Sequence, residues 1–484
     1  MFNASCPACG APLSFRSAAS VIAVCEYCKA TVHREGDAVR DMGRMASVLE
    51  DYSPIQIGTS GVFKGAEFTV IGRIQLRYDG GLWNEWHVMF NDGRCGWLSD
   101  ASNQFTLTFE TAGAGALPAF DELIPGKTFI IHGQAYLAAD IRSAACTGGE
   151  GELPFRVGAG WQARVADFRS GSRFLTLDYS DADIPMVYAG QAVTLDDLHC
   201  QLLRAEDDIR DSAGKLKGGV RPLDCPSCGS SVRFVPGITR QLVCPSCRSL
   251  VDTTSRTAEV IDTATRMAAV DATTAIELGQ QASISGKTFE TIGLLRRSDD
   301  EGVVWTEYLL FNPQRGFLWL VETDEGWFQT RVLDEWPIWD GGDTAVLNGQ
   351  RFRKASDYRA KTVFAAGAFN WKVKAGDTDR IVEFNLSGKA LAAELGPNEL
   401  TWSLSVPAPA FQMRAWFGDK FKGKLAPAKS STRRVAKYFI VGLLIVNLIP
   451  LLMSFGKVSA YLLITSLALY LPAWVIDKAG AGKE

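Results

Sequence analysis

The stretch CPSCGSSVRFVPGITRQLVCPSC, residues 225–247, carries two Cys-x-x-Cys pairs with fifteen residues between them. At residues 6–28 the same object stands as CPACGAPLSFRSAASVIAVCEYC, with the same spacing. Working outward from each, the copies stay in step. Arg44-Met45-Ala46 matches Arg266-Met267-Ala268, and Gly58, Gly65 and Gly72 match Gly279, Gly286 and Gly293. Trp83-x-Glu85-Trp86 matches Trp305-x-Glu307-Tyr308. The chain is a tandem duplication.

A Cys-x-x-Cys pair turns two thiolates to one side of a tight turn, and two facing turns complete the tetrahedron that Zn²⁺ accepts. Gly10 and Gly229 follow the first pair of each copy, where the turn needs a positive φ. A ribbon of this length buries too little apolar surface to fold unaided, so the metal supplies its stability. Rubredoxin-like iron shares the ligand set, while a redox dithiol or disulfides fit the doubled spacing poorly. The expected cofactor is Zn²⁺, two per chain and structural. Its ligands are Cys6, Cys9, Cys25 and Cys28 in one site and Cys225, Cys228, Cys244 and Cys247 in the other. Cys95, Cys146 and Cys200 have no counterparts and read as small hydrophobes.

The chain has 484 residues, 47% hydrophobic and 21% charged, with a net charge of -4. That balance supports packed cores and gives no general affinity for nucleic acid. The opening residues lack a charged region followed by an apolar one, which places the bulk of the protein in a reducing cytoplasm.

Apolar and polar residues alternate around turn glycines in both copies, which predicts a mainly β protein with two tandem barrel- or sandwich-like domains. The expected order starts with a zinc ribbon over 1–34, a connecting helix over 35–53 and a β domain over 54–203. A linker over 204–223 leads to a second ribbon over 224–252, a second connecting helix over 253–275 and a second β domain over 276–412. A basic segment over 413–437 then precedes two uncharged runs within 438–476. Each run is long enough, as a helix, to cross a bilayer, so a C-terminal α-helical transmembrane hairpin is expected. The basic approach places the soluble domains on the cytoplasmic face of the inner membrane.

The order of ribbon, W-x-E-[WY] strand and later Gly-rich strand resembles the bacterial DUF4178 family, over residues 54–200 and 276–412. Gly151-Glu152-Leu153-Pro154-Phe155 is similar to that family's GELPW element, whereas Gly367-Ala368-Phe369-Asn370-Trp371 stands there in the second copy. A role of Glu152 is therefore not shared by both copies. The resemblance implies membrane-associated work, in a setting of envelope stress or polyamine-related enzymes, and names no reaction.

Residues 126–129 and 286–289, both GKTF, resemble the end of a phosphate loop, but Asp121 and Gln281 stand where its first Gly belongs. A turn into a strand is the expectation. His33, His87, His132 and His199 all lie in the first copy, so a duplicated enzyme sharing a histidine base is not expected. Glu85 and Glu307 are the matched acids flanked by aromatics. They read either as recognition carboxylates, with Trp83, Trp86, Trp305 and Tyr308 beside them, or as strand residues facing solvent or an arginine. The expected function is a membrane-tethered zinc-ribbon adaptor that binds a protein partner or small ligand, with the lipid bilayer as its second partner and nucleic acid not among them. The alternatives are an accessory subunit of an envelope- or polyamine-related enzyme system, or an enzyme of unrecognised type.

Overall fold

Strand after strand follows from the alternation of apolar and polar residues in both copies. The computed structural model describes residues 2–17, 20–28, 30–35, 38–44, 53–78, 81–112, 117–155, 161–212, 223–232, 241–244, 246–247, 249–252, 259–262, 274–371, 373, 376–423, 431–453 and 455–480. In the first copy the strands are β1 (Ile22–Val24), β2 (Ala30–Glu35), β3 (Ala38–Arg44), β4 (Ala66–Arg77), β5 (Leu82–Phe90) and β6 (Cys95–Ala101). They continue as β7 (Gln104–Thr111), β8 (Gln134–Leu153), β9 (Gln162–Ser170), β10 (Arg173–Asp178) and β11 (Met186–Val193). The second copy repeats them in order as β12 (Gln241–Val243), β13 (Leu250–Asp252), β14 (Glu259–Asp262), β15 (Lys287–Ser298), β16 (Val304–Asn312) and β17 (Gly316–Thr323). These are followed by β18 (Gly326–Val332), β19 (Gln350–Phe369), β20 (Thr378–Leu386), β21 (Lys389–Leu395) and β22 (Leu400–Pro407).

Each copy closes into a barrel. In the first, β4-β5-β6-β7 is one antiparallel meander and β8-β9-β10-β11 another; β7 pairs with β11, and β8 pairs back to β4. The second copy has the same ring from β15 to β22. The ribbon strands continue this wall, because β1 pairs with the end of β8 and β12 with the end of β19.

Closure needs glycine. A Cβ on Gly72 of β4 would stand 1.9 Å from the carbonyl oxygen of Glu152, and one on Gly151 (φ +70°) 2.3 Å from that of Ile71. Gly367 repeats the second relation, with φ +90° and 2.3 Å to the carbonyl oxygen of Ile292. Only residues without a side chain let these backbones approach so closely.

The outer face of β5, with Trp86, Val88 and Phe90, packs under Ile55 and Leu198; its counterpart, with Tyr308 and Leu310, packs under Met413 and Phe417 of a helix (Ala410–Phe417). The barrels also touch each other. Leu137 and Ala139 join the apolar cluster of Phe384 and Trp402, and the Ile141 amide donates to the Asn398 carbonyl at 3.0 Å.

Several expectations need correction. Residues 38–44 form strand β3 and residues 259–262 form β14, where connecting helices were expected. The helical spacing of Val39 and Met42 was outweighed by pairing with β2; residues 45–52, 253–258 and 263–273 lie outside the described residues. The expected linker contains a helix (Glu206–Ser212) whose Ile209 is fully buried against the second barrel. Ile209, with a hydrogen bond from Asn312 to Glu206, docks an otherwise acidic turn. Both GKTF segments are turns into strands, as expected.

The transmembrane hairpin is not supported. Among the described residues, no helix is long and apolar enough to cross a membrane. The first apolar run is cut at Asn447 into helices Ser431–Val446 and Leu448–Met453, and the Asn447 side chain donates to the Leu443 carbonyl at 2.9 Å. The second run lies in helix Phe455–Gly480, which has Lys457 near its start and Pro472 inside it.

Candidate functional site

The four-cysteine clusters come first, since they are the best-defined chemistry. Gly10 and Gly229 adopt φ of 74° and 72°, and their amides donate to the carbonyls of Cys6 and Cys225 at 2.8 Å. These turns bring the thiols together. Sγ–Sγ distances are 3.7 Å for Cys6–Cys28 and for Cys9–Cys25, 3.6 Å for Cys225–Cys247 and 3.8 Å for Cys228–Cys244. All four sulfurs of each cluster lie within 4.8 Å of one another, and none is in a disulfide. Four thiolates at Zn–S of about 2.3 Å would lie about 3.8 Å apart, so the geometry fits Zn²⁺. With four sulfur donors such a site would be closed, and a metal there would hold two turns together.

Glu152 ties the first ribbon to its barrel. One carboxylate oxygen accepts the amides of Arg16 at 2.8 Å and Ser17 at 3.1 Å and the Ser20 hydroxyl at 2.8 Å. Ala368 pairs with the second ribbon at the matching place and brings no carboxylate. What the two GELPW-like segments do share is the aromatic that follows: Phe155 packs on Trp97 at 5.7 Å and Trp371 on Trp319 at 5.6 Å between ring centroids.

The W-x-E pairs face inward. Directly paired residues on adjacent strands share a face, and Glu85 is paired with Ile74 of β4 and Ser99 of β6. That this face is the barrel interior follows from the second copy. There Arg297 of β15 reaches past β19 to Asp379 of β20 at 2.8 Å and past both to Glu394 of β21 at 2.7 Å, with Glu307 at 3.8 Å. Trp305 donates its indole N–H to Glu307 at 2.6 Å, as Trp83 does to Glu85 at 2.8 Å. Trp86 and Tyr308 point the other way, into the outer clusters, and are 1% and 0% exposed. None of these four aromatics offers a surface anchor for a protein partner: Trp83 is buried and Trp305 mostly so. Glu307 faces an arginine, Arg297, but with Trp305 on its own face of the strand rather than on the other.

Registers identify the counterparts. Leu76 and Arg297 pair with Trp83 and Trp305, so Leu76 holds the place of Arg297. Asp178 and Glu394 pair with Val165 and Ile381, and Asp167 and Glu383 pair with Asp140 and Ser356. Hence Asp178 stands for Glu394, and Asp167 for Glu383. The second interior supplies its carboxylates with an internal guanidinium. Burial disfavours the Arg297 charge, but Glu394 and Glu307 outweigh it and hold the guanidinium protonated.

The first interior has Leu76 in that place, and its own arginines, Arg142 and Arg169, stand beside Asp140 and Asp167. Burial pushes Glu85 up to about 8, and the carboxylates of Asp167 and Asp178 push it the same way against hydrogen bonds from Ser99 and Trp83. Asp167 is pushed up to about 6 by burial, although Arg169 and Arg142 pull it down. Glu85, Asp167 and Asp178 are nevertheless half-buried, lining the interior rather than being sealed in packing.

The sequence motif picks out Glu85 and Glu307 but misses Arg297, Ser99, Asp167 and Asp178. The offset between copies changes by one residue in the hairpin after β4 and β15, which hides the Leu76–Arg297 correspondence in a fixed-offset comparison.

No curated protein matches this chain. A family described as a domain of unknown function, DUF4178, matches residues 56–195 and again 277–409, the two barrels and more than half of the sequence. The chain therefore belongs to the DUF4178 family, in two tandem copies, each preceded by a four-cysteine cluster.

Proposed function

We propose that this protein is a non-catalytic binding protein whose zinc ribbons brace two barrels and whose ligand is recognised inside a barrel. The observation that carries this reading is the fixed setting of Glu85. Its two oxygens accept from Trp83 at 2.8 Å and Ser99 at 2.5 Å, in an interior lined by further carboxylates. Such an arrangement suits recognition, since the carboxylate is oriented before any ligand arrives. His87 is the histidine nearest to it in sequence. Burial holds it down at about 4, and its Nδ1–H donates to the Glu152 carbonyl, so it is poorly placed to act as a base. The inward tryptophans favour a small ligand over a protein surface as what the W-x-E strands hold.

The test is native mass spectrometry of protein purified under mild conditions, beside the Glu85→Gln/Glu307→Gln double variant. The expected result is a co-purifying small molecule that the variant loses while folding and zinc content stay unchanged. Turnover of a substrate by the purified protein alone would defeat the reading.

A further inference from the structure

The two barrels differ at a few interior positions around the W-x-E carboxylates. Where the second has Arg297, the first has Leu76. Where the second has the apolar Leu309, Val321 and Phe328, the first has the polar His87, Ser99 and Thr106. The second interior holds the Arg297 guanidinium among Glu307, Asp379 and Glu394. The first has no guanidinium at that place, keeps the carboxylates of Glu85 and Asp178 and gains acceptors; its own Arg142, in the register of Tyr358, is taken up by Asp140 and Glu399.

Two of those acceptors are unsatisfied. His87 is 1% exposed and Thr106 4%, yet among the described residues neither His87 Nε2 nor Thr106 Oγ1 has a hydrogen-bond partner. With Nδ1 donating to Glu152, Nε2 is an acceptor. His87 follows Glu85 on the same face of β5, and Thr106 pairs with Ser99, whose hydroxyl is bound to Glu85. A buried acceptor left empty costs about 1–3 kcal/mol, so such groups call for a donor.

We propose that the interior of the first barrel binds a small molecule through a guanidinium or primary ammonium group, seated where Arg297 seats its own guanidinium in the second. Glu85 and Asp178 supply the charge, as Glu307 and Glu394 do for Arg297. Leu76, packed with Ile74, Trp83 and Ala144, offers an apolar wall for the ligand's alkyl part. The elevated titration of Glu85 adds a signature: a cation draws the carboxylate into its ionised form, so binding near neutrality releases a proton.

This inference rests on the reading of the barrel as a binding site, and the experiment separates the two. Full-length, zinc-loaded protein is titrated calorimetrically with n-butylguanidinium, n-butylammonium and, as a neutral control, n-butanol. The expected result is saturable binding of one or both cations and none of the alcohol, with proton release seen as a dependence of the heat on the buffer's ionisation enthalpy. Leu76→Arg places an internal guanidinium as in the second barrel. It is expected to stay folded, keep both zinc ions and weaken cation binding more than about tenfold. Arg380→Gln, at an exposed ion pair of the other barrel, is expected to leave binding as it was. Absence of saturable binding to either cation overturns the proposal, as does unchanged affinity in a folded Leu76→Arg variant. A neutral or anionic molecule found bound in the purified protein overturns the cation assignment while leaving the binding-protein reading in place.

Discussion

Replacing Glu152 by Ala should uncouple the first ribbon from its barrel. Glu152 is 5% exposed, and one of its oxygens takes three donors, the amides of Arg16 and Ser17 and the hydroxyl of Ser20. Hydrogen bonds to a charged group contribute about 1.5–3 kcal/mol each, but three on one oxygen are not additive. Ser17 and Ser20 are themselves buried, so their loss of a carboxylate is not readily made good by water. A total of about 3 kcal/mol is expected, since two amides and a hydroxyl lose a shared acceptor. The assay is urea unfolding together with zinc release to a chromogenic chelator. The first site should then open about a hundredfold more often, since about 1.4 kcal/mol is a factor of ten. The second site, whose strand Gln241–Val243 pairs with the second barrel, should release as in the parent. Glu152→Gln, which keeps an acceptor, should fall between. A loss below about 1 kcal/mol, or equal acceleration at both sites, refutes the idea that this carboxylate is the clasp.

Elemental analysis should return two zinc ions per chain, and Cys228→Ser should lose one of them while the first site keeps its own, because the two clusters share no ligand. Gly72→Ala should cost about 3 kcal/mol or more in a denaturant titration, since its methyl would meet the Glu152 carbonyl at 1.9 Å and part the strands that close the barrel; a loss of a few tenths would mean that the closure is loose. Glu85 holds its proton up to about 8 when folded, whereas the unfolded chain gives it up in the ordinary carboxylate range. Between those limits the folded state binds more protons, so stability falls as pH rises through this window and levels off above the folded value. Glu85→Gln should be more stable than the parent above that value and lose the advantage in acid; the same pH profile in both proteins would contradict the buried setting.

The sequence by itself determined the parts that local chemistry dictates. Two Cys-x-x-Cys pairs can satisfy a metal within a short ribbon, so Cys6–Cys28 and Cys225–Cys247 were legible from spacing, as were the β class from alternation and the duplication from matched glycines. The W-x-E strands were legible as strands, and the turn glycines as turns. The apolar C-terminal runs misled, because composition counts residues without showing that Asn447 ends a helix in the middle of the first. Residues 38–44 misled for a related reason: apolar spacing over one short segment suits a helix, and the partner strand that decides otherwise closes only in space.

Tertiary structure alone decided which way Glu85 and Glu307 face and what they meet. A strand's alternation defines two faces without saying which is inside, and ring closure through Gly72 and Gly151 settles it for the whole sheet. Most of what surrounds these carboxylates comes from strands remote in sequence: Asp167 and Asp178 for Glu85, Asp379 and Glu394 around Glu307. Electrostatic interactions depend on separation in space and on the solvent excluded between the groups, and neither quantity is written in the order of residues along the chain.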